Sequence, residues 1–142
     1  MSEKGRNFSK EIKMLKIKGD EEIIDKLYHY LRKTFNPKLR FEIKKPLREL
    51  FPKPENKWLL SIWNYGHADI SVFRHGGLVT IIEPGGWYHA KDKKQRINDL
   101  KKDTLCKINK VNCLRIFNNV VENDLGNPKF KKLLKKYFYE TG

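Results

Sequence analysis

The sequence predicts a mixed α/β fold: a single-domain sandwich in which a central mixed sheet is flanked by helices. Three observations point to it. Apolar residues recur with helical spacing near the start and end of the chain, and the middle is strand-like. The run Leu78-Val-Thr-Ile-Ile-Glu83 is apolar without alternation, as expected of a central strand covered on both faces. The chain of 142 residues suits one domain with one core. Its 39% hydrophobic and 12% aromatic content argues against disorder.

Residues 1–18 are basic and weakly patterned, and are read as an arm preceding a domain at 19–142. Asp20 is the expected cap of a first helix, with Glu21 and Glu22 in its first turn. Ile23, Ile24, Leu27, Tyr28 and Leu31 carry that helix to about Lys33, before Asn36-Pro37 ends it. Leu39 to Ile43 alternates as a strand. Pro46, Pro52 and Pro54 mark a loop containing the short apolar piece Leu47 to Phe51. Lys57 to Asn64, with Trp58 and Trp63, reads as a strand, and Ala68 to Phe73 as another. Arg74-His75-Gly76-Gly77 is a turn signal.

Pro84-Gly85-Gly86 stops the central strand. Lys91 to Asn109 is a polar helix with Ile97, Leu100, Thr104 and Ile108 along one side, and Asn112 to Phe117 is a strand. Asn127 caps a last helix with Pro128 at its first position. Leu133, Leu134, Tyr137 and Phe138 form its expected core side. There are no tandem βαβ units and no Gly-x-Gly-x-x-Gly, which argues against a dinucleotide-binding fold.

Charge narrows the function class. Lys and Arg number 31 against 17 Asp and Glu, a formal net charge of +14. Such an excess opposes compaction and is best understood if an anionic partner neutralises it. DNA or RNA is the first candidate and a membrane surface the second. No stretch is long and apolar enough to span a bilayer. Met1 to Lys18 has no signal-peptide core, and Cys106 and Cys113 have neither zinc spacing nor a disulfide framework. An intracellular setting, cytoplasmic or nucleoid-associated, is therefore expected, with both thiols as packing groups.

Asp69 lies in one strand and Glu83 ends the next, fourteen residues on. Antiparallel neighbours joined by a short turn bring such positions together. Two carboxylates form an oxygen site for Mg²⁺ or Mn²⁺, which could act on a scissile phosphate. His89 follows Glu83 by six residues and could serve as general base or ligand. Gly85 and Gly86 leave room for close approach, and Trp87 and Tyr88 could pack against nucleic acid. Lys91, Lys93, Lys94, Arg96, Lys101 and Lys102 flank the site, and five lysines of the last helix add a second basic run. Phosphate contacts from such groups give affinity without sequence choice. Arg115 points either into the groove or toward Glu83.

Asp69-Ile-Ser-Val-Phe, Leu78-Val-Thr-Ile-Ile-Glu83-Pro-Gly-Gly-Trp-Tyr-His89, Asp99-Leu-Lys-Lys102 and Cys113-Leu-Arg-Ile116 together resemble the very-short-patch-repair endonucleases. These belong to the PD-(D/E)XK nuclease superfamily, which also includes phage homing endonucleases. The resemblance covers roughly residues 20–118 and rests on order and spacing. It implies a restriction-endonuclease-like sandwich and Mg²⁺-dependent hydrolysis of a DNA phosphodiester. Double-stranded DNA is the expected partner, with a homodimer or partner protein supplying specificity.

By that resemblance Asp69 and Glu83 bind metal, where the repair enzymes carry a threonine at the second position. His89 matches the active-site histidine and Asp99 the acid of the following helix. Glu21, or its neighbour Glu22, matches the glutamate of the first helix. Two departures stand out. The superfamily lysine is replaced by Gly85, leaving His89 or Lys102 to take its part, and Asp99 falls about 200° round its helix from Ile97. A nucleic-acid-binding protein on a degenerate nuclease fold is the chief rival, and a small RNA- or ribosome-binding protein the second.

Overall fold

A computed structural model describes residues 21–35, 37–85 and 93–140. Helix α1 covers 21–35 within them. It is followed by β1 (Arg40–Pro46), α2 (Leu47–Leu50) and a 3-10 turn (Lys57–Leu59) continuing as α3 (Leu60–Tyr65). Next come β2 (His67–Arg74), β3 (Gly77–Gly85), α4 (Lys93–Ile108), β4 (Asn112–Phe117), α5 (Asn118–Asn123) and α6 (Pro128–Tyr139). Among the described residues no helix is long and apolar enough to cross a membrane.

The fold is mixed α/β, with one sheet in the order β1-β2-β3-β4. The first three strands are antiparallel neighbours, and β4 is parallel to β3. His75 and Gly76 form the turn between β2 and β3, with φ of 53° and 79°. Positive φ at both central residues gives the twist a two-residue hairpin needs. The parallel pair requires a crossover connection, and α4 lies in it.

Each face of the sheet is covered. On one, Ile70, Val72, Ile82, Leu114 and Ile116 meet Leu27 and Leu31 of α1, Val121 of α5 and Phe130, Leu134 and Phe138 of α6. Phe35 meets Phe138 edge-on, with ring centroids 5.2 Å apart. Burying a side chain of this size contributes about 2–3 kcal/mol. On the other face Ala68 and Ile81 meet Leu47, Leu59, Leu105 and Cys106. Thr80, Ile81, Ile82 and Glu83 are all buried, so β3 is the covered central strand its composition predicts. Asn127 caps α6, accepting from Lys129 N at 2.9 Å, with Pro128 at the first position.

Three expectations are corrected, and one element is new. Lys57 to Asn64 is helical: Asn56 accepts from Trp58 N, while Leu59, Ile62 and Trp63 pack inward at helical spacing. Helix α5 carries no expectation from the sequence. On α6 the core side is Phe130, Leu134 and Phe138, and Leu133 is exposed. On α4 the apolar side faces outward: Ile97, Leu100 and Ile108 are 41%, 55% and 60% exposed. Only Leu105 and Cys106 anchor this helix deeply. The anticipated cap Asp20 and the arm at residues 1–18 lie outside the described residues.

Gly66 seats the start of β2. Its N–H donates to Ile62 O at 2.7 Å and its carbonyl accepts from Leu47 N at 2.9 Å. A Cβ there would stand 2.5 Å from Ile62 O and 2.8 Å from Leu47 Cδ1. Gly66→Ala should therefore cost about 1–3 kcal/mol in urea unfolding. A neutral result would mean that the α3–β2 junction yields freely.

Candidate active site

Strand register assembles the site. Side chains alternate between faces along a strand, so Asp69 shares a face with Ser71, Glu83 with Ile81, and Arg115 with Cys113. Ile81 and Cys113 belong to the packing with α4, so this is the α4 side. Glu83 pairs with Arg115 across the parallel strands. Asp69 lies one step beyond the Ile70–Ile82 pair, level with Glu83. Asp69, Glu83 and Arg115 thus form a row across three neighbouring strands.

Glu83 is 7% exposed, and both its oxygens are engaged. Oε2 accepts the Asp69 backbone N–H at 3.2 Å, and Oε1 is paired with Lys102 Nζ. The same ammonium donates to His67 O at 2.9 Å. Burial opposes the Lys102 charge, but the charge and hydrogen bond of Glu83, with Asp69 beyond, outweigh it. Its pKa accordingly lies above the ordinary lysine value. Lys102 is a fixed cation at neutral pH.

Arg115 is held by α4 and not by Glu83. Its guanidinium contacts Asp99 Oδ1 at 3.3 Å and Asp103 Oδ1 at 2.8 Å, and donates to Asp99 O at 3.1 Å. Burial alone would lower its pKa. The Cys113 side chain, Asp103 and Asp99 reverse that and raise it. Residues 99, 102, 103 and 106 follow helical i, i+3, i+4, i+7 spacing, which turns one face of α4 toward the sheet. Asp99 is therefore on the sheet side. Cys106 and Cys113 are free thiols. Hydrogen bonding to Cys106, with burial, pushes the Cys113 thiol upward.

These groups border a cleft of about 700 Å³. Asp69, Glu83, Asp99 and Asp103 line it together with Arg96, Lys102 and Arg115, and Pro84, Leu100, Ile116 and Phe117 supply apolar wall. Among the sequence candidates, Asp69, Glu83, Asp99, Lys102, Arg96 and Arg115 come together here. Lys93 and Lys94 are exposed in the first turn of α4 and do not line the cleft. Glu21 is exposed, 3.5 Å from Lys44 Nζ, and neither it nor Glu22 lines the cleft. His89, Trp87 and Lys91 lie outside the described residues. Asp103 and Phe117 line the cleft without having been singled out. Asp103 could have been found from its position one turn after Asp99.

No group of three or more His, Cys, Asp or Glu able to hold a metal occurs among the described residues. Asp69 and Glu83 supply two carboxylates, and Mg²⁺ commonly takes one or two from the protein and keeps waters. Each carboxylate oxygen has two lone pairs, so the hydrogen bonds to Glu83 leave it coordinating capacity. The donor set therefore fits a hydrated divalent ion and not an all-protein cage. No family model, curated protein or solved structure matches the chain.

A buried ion pair is sensitive to loss of one partner. Lys102→Met should lower stability by about 3–5 kcal/mol in urea unfolding, whereas Glu83→Leu/Lys102→Met should stay within about 1 kcal/mol of wild type. Because the folded Lys102 pKa is raised, its contribution is complete below the unfolded value of about 10.4. It should be lost only as pH climbs through the folded value. Equal losses in the single and double variants would show that the carboxylate is not effectively desolvated.

Proposed function

We propose that the chain is a metal-dependent DNA endonuclease acting on a phosphodiester bond in the cleft. The observation that carries this reading is the meeting of Asp69, Glu83 and Lys102 on adjoining elements of a strongly basic protein. The mixed four-stranded sheet, with α1 and α6 on one face and α4 crossing the other to the parallel strand β4, is compatible with the restriction-endonuclease-like sandwich that the resemblance implies, with the helical segment 47–65 inserted between β1 and β2. Asp69 and Glu83 would hold Mg²⁺ or Mn²⁺. When bound, the ion supplies a Lewis acid that offsets charge on the scissile phosphate.

The chain's own groups orient and neutralise. Gly85 occupies the position two residues after Glu83, and Lys102 brings an ammonium to the same carboxylate from α4. Its raised pKa suits a charge-stabilising donor and not a general base. Arg96 offers a phosphate contact at the rim. Asp99 and Asp103 orient Arg115, so they act as positioning residues. His89 remains the proposed proton acceptor. Glu21 is left without a direct part. Duplex DNA is the proposed substrate, with a second copy or partner protein supplying sequence choice.

A non-catalytic nucleic-acid binder is the alternative. The observation favouring it is that both Glu83 oxygens already have partners. Nicking of supercoiled plasmid separates the two. Wild type should nick with Mg²⁺ or Mn²⁺ and stop in EDTA. Asp69→Asn and Lys102→Gln should each slow nicking by about 100-fold or more, and His89→Ala should also be impaired. Plasmid bound but never cut, under every metal condition, would favour the binder.

A further inference from the structure

Helix α6 has a charge distribution that the cleft does not use. Lys129, Lys131, Lys132, Lys135 and Lys136 are exposed, and no acid occurs between Pro128 and Tyr139. At 100° per residue the lysines fill an arc of about 160°, opposite the buried Phe130, Leu134 and Phe138. None of the five is in an ion pair among the described residues. The cleft cations differ: Lys102 and Arg115 are bound to carboxylates.

The two basic regions also face different ways. Helix α6 packs on the sheet face that holds α1, through contacts such as Tyr30 with Phe130. Helix α4 and the row Asp69, Glu83, Arg115 belong to the other face. The sheet separates the α6 lysines from the cleft, so a segment seated in the cleft does not account for them.

We infer that the outer face of α6 is a second phosphate-binding surface, through which one chain holds a second nucleic-acid duplex while the first occupies the cleft. The lysines span seven residue steps, about 10 Å along the helix axis. Duplex DNA presents about six phosphate charges over such a length, so the charge densities match. An anionic bilayer fits less well. The core side of α6 is already buried against the sheet, and Leu133 and Tyr139 alone are exposed apolar groups on it, too few to form an apolar face that inserts beneath headgroups. The inference needs nucleic-acid binding at the cleft but no hydrolysis there.

The test is sedimentation of the full chain with excess fluorescent short duplex in EDTA, reading chains and duplexes at separate wavelengths. Wild type should carry two duplexes per chain. Lys131→Gln/Lys132→Gln/Lys135→Gln/Lys136→Gln should carry one, with the second site weakened at least about tenfold and an unchanged melting profile. Plasmid nicking by this variant, tested separately, should persist if the cleft is a nuclease. One duplex per wild-type chain, or two on the variant, would overturn the inference. So would a variant that loses binding to phosphatidylserine vesicles while its duplex stoichiometry is unchanged. Loss of nicking chemistry with α6-dependent double occupancy intact would sink the nuclease reading alone.

Discussion

The ion pair between Glu83 and Lys102 is the constraint on which the cleft depends. A carboxylate in a covered central strand is costly unless its charge is met. Lys102 meets it and also binds the His67 carbonyl. The crossover helix is thereby joined to both strands of the hairpin. With residue 102 over Glu83, helical spacing brings Asp99 and Asp103 to Arg115 and sends Leu105 and Cys106 into the core. One polar contact thus fits the same helix register as the apolar packing beneath it.

That register makes the cleft nearly charge-balanced in a strongly basic molecule. Four carboxylates and three cations line it, in a chain of net charge +14. Two of those cations are bound to cleft carboxylates. The wall is locally suited to a divalent cation, and the surrounding basic surface is suited to the phosphates that would bring a substrate there. A uniformly basic cleft would attract phosphate but leave no site for the ion. A carboxylate-bearing recess in a basic chain supports the metal-dependent reading better than net charge does.

Much of this was legible in the sequence where a local rule and a tertiary requirement agree. The run through Glu83 and the turn at His75-Gly76 both read correctly, as did the Asn127-Pro128 cap. Asp69 and Glu83 could be brought together because a short hairpin fixes which residues lie abreast. The helical state of Lys57 to Asn64 was not legible: Trp58, Leu59, Ile62 and Trp63 suit a strand by composition, and packing with the Asn56 cap selects the helix. The destination of Arg115 was open because its partners lie on another element. Asp103 was missed because a helix acid acquires meaning only once the opposing strand is known.

The reversed face of α4 shows where periodicity stops being a guide to burial. An apolar stripe predicts the buried side only when the helix lies over a core along its whole length. Here the helix covers the core near Leu105 and Cys106 and borders a cleft near Asp99 and Lys102. Its polar side turns inward because the carboxylates and cations of the sheet satisfy it there. Leu100 remains at the cleft edge, with Pro84, Ile116 and Phe117 completing an apolar wall beside the charged one. A nucleotide unit has the same division, an anionic phosphate beside less polar sugar and base surfaces. The inverted helix therefore supports a nucleic-acid ligand over a bare inorganic anion, since an anion would use only the charged wall.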